Sequence, residues 1–216
     1  MTEIMTDEPC KLYLLTPPKI DPDEFTGRLQ RAIAAKPDIV GAVQLRLKDI
    51  GDDDFKRAAE ALLPVCHGFD LPLIINDRPD IAAQTGADGV HIGQEDADYD
   101  SARALLGADA IIGVTCHDSR DLAIEAGDRG ADYVAFGAFF PSESKETKHH
   151  ADPEIIEIWS QMTIVPCVAI GGITADNCQP LVDAGADYLA VIGSIWNHPE
   201  GPEAGVLAFA EKLAGT

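Results

Sequence analysis

The chain has 216 residues, 46% of them hydrophobic and 25% charged, the balance of a soluble protein able to bury a substantial core. Its formal net charge of −21 repels nucleic acid and anionic membrane, which argues against both as partners. No apolar run approaches the ~20 residues a membrane span needs.

The opening stretch MTEIMTDEPC is acidic and has no apolar segment of the signal-peptide kind. Residues 1–10 are expected to form a loose tail, and the cytoplasm is the expected compartment. The five cysteines, Cys10, Cys66, Cys116, Cys167 and Cys178, are odd in number and show no CxxC spacing. That argues against a disulfide framework or a structural zinc site and for buried or partly buried free thiols.

Short apolar runs then alternate with segments of helical period. KLYLLT reads as a strand and PDEFTGRLQRAIAA as a helix; GAVQLRLK is a strand, and DDDFKRAAEALLPVCHG is a helix with acidic residues at its start. LPLIIN is the third strand, followed by the short helix RPDIAAQTG, with Pro79 in its first turn and Gly86 near its end. DGVHIG, AIIGVT, DYVAFG, IVPCVAIGG and DYLAVIG continue the strands. The helices between and after them are ADYDSARALLG, SRDLAIEAGDRG, DPEIIEIWSQM, TADNCQPLVDAG and PEAGVLAFAEKLAG. Strict alternation predicts parallel strands joined by crossover helices. The near-continuous apolar strands predict that both faces are covered. Eight such units close most economically into an α/β fold of the (β/α)8 TIM-barrel type, a single domain spanning residues 1–216. A doubly wound sheet is the alternative, and no GxGxxG follows the first strand to support it. TGADGVHIG, RGADYVAFG and AGADYLAVIG are three versions of one helix-to-strand junction.

Barrel active sites lie at the C-terminal ends of the strands. The second strand ends in Gln44, Arg46 and Lys48, which alternation puts on one side. Three polar residues facing a barrel interior cost too much to be packing, and read as ligands for an anion. Asn76 and Asp77 end the third strand, and Gln94, Glu95 and Asp96 follow the fourth. Asp77 and Asp96 beside a basic cluster suit Mg2+, which takes one or two carboxylates and completes its shell with water and phosphate oxygens. Thr115 offers a hydroxyl, and His117 fits a structural role better than an acid–base one. The loop FFPSESKETKHH carries Ser142, Ser144, Lys145, Lys148, His149 and His150, and no third ligand accompanies the two histidines. Arg46, Lys48, Arg78, Lys145 and Lys148 are expected to form a local basic pocket on this rim. At the seventh and eighth strands, Gly171 and Gly172, a helix starting near Thr174, and Gly193 with Ser194 predict a second anion site built from backbone amides.

QLRLK, INDRPD, GADGVHIGQED, GVTCH, PSESK and AIGGITADN, in this order on the expected strand ends, resemble the thiamine-phosphate synthase family and its TenI-type tautomerase relatives. The resemblance runs from KLYLLT to VIGSIW. It implies condensation of a pyrimidine diphosphate with thiazole phosphate, giving thiamine monophosphate and pyrophosphate, with Mg2+ as cofactor and a homo-oligomer such as a dimer. Carried over by motif, Gln44, Arg46, Lys48 and Asn76 hold the pyrimidine diphosphate, and Asp77 and Asp96 hold Mg2+. Thr115, where the family usually has Ser, bonds the diphosphate, and Lys145 neutralises the leaving group. Ser142, Ser144, Gly172, Ile192 and Gly193 cradle the thiazole phosphate. Arg46, Lys48, Thr115 and Lys145 are thus the candidate catalytic residues. The chain departs from the family pattern at Leu47, usually acidic, at Ser142-Glu143-Ser144, usually Thr-x-Thr, and at Gly193, usually Ser. A thiazole tautomerase without metal, or a non-catalytic binder of thiamine precursors, are the alternative readings.

Overall fold

Apolar strands of four to seven residues have two faces to cover. The computed structural model, which describes residues 9–141 and 149–214, covers both by closing the sheet into a parallel barrel ordered β1 to β8. The strands are β1 (Lys11–Leu15), β2 (Val40–Leu45), β3 (Leu73–Asn76), β4 (Gly89–Ile92), β5 (Ile111–His117), β6 (Tyr133–Gly137), β7 (Cys167–Ile170) and β8 (Tyr188–Val191). The helices are α1 (Pro22–Ala35), α2 (Asp52–His67), α3 (Pro79–Thr85), α4 (Tyr99–Leu106), α5 (Arg120–Asp128), α6 (Glu154–Met162), α7 (Gln179–Asp183), α8 (Gly193–Trp196) and α9 (Pro202–Leu213). The expected (β/α)8 barrel is the fold observed.

Period-two alternation sorts the strand side chains into two cores. Leu12, Leu14, Val43, Leu45, Leu73 and Ile75 point outward and pack under the helices. Tyr13, Leu15, Ile74, Tyr133, Ala135, Val168 and Ala190 fill the barrel itself. Each fully buried Leu or Ile stabilises the fold by about 2 kcal/mol. Gly113 on β5 leaves the space that the Tyr133 ring occupies, since a Cβ there would lie 1.9 Å from the ring. Helix starts follow their sequences: Asp21 accepts from the amides of Asp23 and Glu24 at α1, Asp98 from Ser101 at α4, and Ser119 from Leu122 at α5.

The repeated Gly-Ala-Asp junction does more than turn the chain. Asp88, before β4, accepts from the amide of Leu73 at the start of β3, at 2.8 Å. Asp132, before β6, accepts from Ile112 of β5 at 2.8 Å, and Asp187, before β8, from Cys167 of β7 at 2.7 Å. Each aspartate satisfies a backbone donor at the lower edge of the neighbouring strand, where no ladder partner remains.

Two expectations need correction. The tail does not extend to Cys10, which is buried in the outer core; residues 1–8 lie outside the described residues. The helix expected near Thr174 begins only at Gln179 and has five residues. The turn before it is closed by Asn177, whose side-chain Oδ1 accepts from the Thr174 amide and whose Nδ2 donates to Gly172 O. All five cysteines are free and buried, as expected. Burial pushes the thiols of Cys66, Cys116 and Cys167 up to about 12, which keeps them unreactive at neutral pH.

Candidate active site

Strand β2 ends at Leu45, so Gln44 lies within the barrel and Arg46 and Lys48 continue its side beyond the strand. Gln44 is buried, Arg46 half-buried and Lys48 exposed. Leu47 takes the opposite side and packs into the outer core, which explains an apolar residue between two cations. The segment is held to the first loop by backbone bonds: the Arg46 amide donates to Thr16 Oγ1 at 2.9 Å, and the Lys48 amide to Pro18 O at 2.9 Å.

Asn76 is buried at the end of β3, and the next residue, Asp77, has φ +61°. That left-handed turn is tolerated by Asp and Asn better than by most side chains. The Asp77 amide donates to His91 O at 2.8 Å, which ties the turn to β4, and the Asn76 side-chain amide donates to the Asp77 carboxylate. Asp96 folds back over the β4 end and accepts from the Gly93 amide at 3.1 Å. Burial, then the Asp96 carboxylate, push the Asp77 carboxyl up to about 6, against the pull of Lys48 and Asn76. Burial holds the Arg46 guanidinium below its ordinary value, and Asp77 opposes it. Two carboxylates thus confront one another beside two cations.

This donor set suits Mg2+ rather than zinc. Among the described residues no group of three or more His, Cys, Asp or Glu side chains is placed to hold a metal. Magnesium needs only one or two protein carboxylates and takes water and phosphate for the rest. The mutual repulsion at Asp77 is the feature a divalent cation would relieve.

Arg78 does not join the pocket. Its guanidinium forks onto Asp80 at 2.8 and 2.6 Å and reaches Asp52 at 2.8 Å, tying the starts of α2 and α3 together. Ser142, Ser144, Lys145 and Lys148 lie outside the described residues. Of the five expected rim cations, Arg46 and Lys48 are therefore the two that the described structure places beside the carboxylates. His149 stacks on His117 with ring centroids 4.4 Å apart and bonds Asp118 at 2.9 Å.

On the far side of the barrel, Gly171 and Gly172 have φ +109° and +61°. A Cβ at Gly172 would lie 2.3 Å from Pro141 O, so the glycine brings the end of β7 against the segment leading into residues 142–148. Ile192 packs against both cores. A Cβ at Gly193 would meet only Asn197 Nδ2, at 3.5 Å, so the site has room for the serine usual there. The neighbouring Ser194 Oγ is buried with no hydrogen-bond partner. The backbone site expected at Thr174 is not formed by a helix start, because that amide is already bonded to Asn177.

The sequence reading missed a file of buried polar groups below the rim. Gln44 Nε2 donates to Tyr13 OH at 3.0 Å, and Tyr13 OH lies 2.9 Å from Tyr133 OH. Tyr133 OH lies 2.9 Å from His91 Nδ1, and His91 Nε2 lies 2.8 Å from Thr115 Oγ1. The signal available was parity: Tyr13, His91 and Tyr133 occupy inward positions of strands that are otherwise apolar there.

Burial pushes His91 down to about 4, with Asp96 opposing and Arg46 assisting. Its folded value therefore lies below the unfolded one, near 6.5. The stabilisation of a neutral His91 is fully present above pH 6.5 and is lost as pH falls toward 4. Relative to His91→Gln, the unfolding free energy of the wild type is expected to drop by about 3 kcal/mol between pH 7 and pH 4. Asp77 titrates with the opposite sign in both proteins and cancels in the difference. Urea titrations at the two pH values check this, and a constant difference refutes it.

The closed parallel sheet, with charged side chains gathered at the strand ends, places the chain among the (β/α)8 barrels with a site on the C-terminal rim. Residues 12–195 match the family model described as "Thiamine monophosphate synthase", and the chain belongs to this family. It is 57% identical to a thiamine-phosphate synthase from Rhodospirillum centenum (strain ATCC 51521 / SW), over 98% of this chain and 100% of that one. A thiamine-phosphate synthase from Erythrobacter litoralis is 49% identical, over 97% and 98% of the two chains. The solved structure of a thiamine phosphate pyrophosphorylase from Pyrococcus furiosus superposes with a TM-score of 0.82 at 26% identity, covering 95% of this chain and 96% of that one.

Proposed function

We propose that the protein condenses 4-amino-2-methyl-5-(diphosphooxymethyl)pyrimidine with thiazole phosphate to give thiamine monophosphate and pyrophosphate. The observation that carries the reading is the confrontation of Asp77 and Asp96 next to Arg46 and Lys48. The bond from the pyrimidine methylene carbon to the diphosphate oxygen breaks, and its electron pair leaves with pyrophosphate. The thiazole ring nitrogen supplies the pair for the new carbon–nitrogen bond.

The residues' tasks follow from where charge develops. Arg46 and Lys48 stand at the mouth, where preorganised cations favour a departing polyanion. Asp77 and Asp96 would hold Mg2+, which when bound supplies Lewis-acid stabilisation of the leaving diphosphate. Gln44 and Asn76 orient the pyrimidine diphosphate, and the Thr115 hydroxyl donates to it. Lys145 neutralises the leaving group, and Ser142, Ser144, Gly172, Ile192 and Gly193 cradle the thiazole phosphate. A metal-free tautomerase has no use for two facing carboxylates, so their presence favours the synthase.

No helix among the described residues is long and apolar enough to cross a membrane. A cytoplasmic homo-oligomer is the setting we assign. Incubation with both substrates and Mg2+ should yield thiamine monophosphate and pyrophosphate in equal amounts, and EDTA should abolish both. Saturable substrate binding with no product would overturn the synthase in favour of a binder. Product formation unaffected by EDTA would remove the metal from the scheme.

A further inference from the structure

The polar file below the rim has a direction, and the direction follows from counting protons. The Gln44 side-chain nitrogen has no lone pair to offer, so Tyr13 OH accepts there. The Tyr13 proton is then left for the Tyr133 oxygen, and the Tyr133 proton for His91 Nδ1. With Nδ1 accepting, a neutral imidazole carries its proton on Nε2 and donates it to Thr115 Oγ1. The Thr115 hydroxyl proton, relieved of that contact, is turned away from His91.

The reverse sense has the opposite outcome. If the Gln44 oxygen faced Tyr13, every proton in the file would point the other way. His91 would accept from Thr115, and Thr115 would present lone pairs to an anion.

We propose that Tyr13, Tyr133 and His91 are positioning residues that lock His91 as the Nε2–H tautomer, so that Thr115 faces the substrate diphosphate as a donor. The link to the diphosphate rests on the synthase reading; the tautomer does not. Tyr13, Tyr133, Gln44 and His91 are all buried, which limits the competition of bulk water for the intermediate bonds. Burial also raises both phenols above their ordinary range, which keeps each hydroxyl protonated to pass the pattern on.

The test reads the tautomer directly. The ring nitrogens of 15N-histidine-labelled full-length protein are observed by NMR without substrate, with His91 assigned by its loss in His91→Gln. The expected result is a protonated Nε2 and an unprotonated Nδ1. A protonated Nδ1 overturns the proposal, whether or not the protein proves to be a synthase. Tyr133→Phe keeps the ring and removes the link, and is expected to mix the two tautomers. It should also weaken inorganic pyrophosphate, titrated with Mg2+, by about tenfold, the effect of one misdirected hydrogen bond to a charged group. In Thr115→Val the same Tyr133→Phe change should have no further effect on pyrophosphate. Additive losses in that cycle would overturn the proposal by showing that Tyr133 acts by another route. If Tyr133→Phe fails to fold, the wild-type tautomer alone still decides.

Discussion

Arg46→Ala is expected to lower kcat/KM by about 10²–10³-fold, the usual effect of removing one preorganised group that meets developing charge. Arg46 is half-buried, and burial already works against its charge, with Asp77 as the group that favours it. A cation kept in so poor a place contributes little to stability, so the variant should unfold at the same denaturant concentration as the wild type or a higher one. The loss should fall on kcat more than on KM, because the charge it meets grows as the diphosphate departs. Arg46→Lys should recover only part of the activity, since a point charge cannot reproduce the two-pronged grip of a guanidinium on phosphate. Steady-state kinetics decide: a loss below threefold would remove Arg46 from the diphosphate site.

Asp77→Asn should separate activity from stability even more sharply. Asparagine accepts the left-handed backbone at this position as well as aspartate does, so the turn should survive. The Asp77 carboxyl titrates at about 6, above its ordinary value, so its charged form is disfavoured in the folded protein. The sign follows: this penalty is absent at low pH, grows as pH rises above the ordinary value of 3.8, and is essentially complete once pH passes about 6. Removing the charge in the metal-free protein should therefore stabilise it at pH 7 by roughly 1–3 kcal/mol, allowing for partial solvent screening. Activity should fall by about 10²–10³-fold through the loss of charge at the metal and diphosphate. Added Mg2+ should raise the wild-type melting temperature and leave that of Asp77→Asn nearly unchanged. A variant that is active, or one stabilised by Mg2+ as strongly as the wild type, would overturn the assignment.

Much of this was legible in the chain, for definite reasons. That Asp77 and Asp96 come together was legible because β3 and β4 are neighbours and each carries an aspartate into the loop that follows it. Leu47, an oddity in the motif, makes sense once its outward side is seen to be core. Arg78 was misread because sequence gives its place on the rim and not its partners; Asp52 lies 26 residues away and only the fold brings them together. The helix expected near Thr174 failed because Asn177 spends both ends of its side chain closing the turn at Thr174, which delays the helix to Gln179. The file from Gln44 to Thr115 joins five strands, β2, β1, β6, β4 and β5, so no single stretch of sequence displays it.

The three aspartates of the repeated junction also bear on how the barrel is assembled. Their bonds link residues 15, 20 and 20 positions apart. Closing loops of this size costs little chain entropy compared with bringing the two ends of the protein together. Each bond ties an even-numbered strand to the one before it, so β3–β4, β5–β6 and β7–β8 are favoured as early nuclei. The contact between β1 and β8, which spans nearly the whole chain, is then the late step. Closure waits on three ready-made corners, and the rim that carries the candidate site is complete only when the ring is shut.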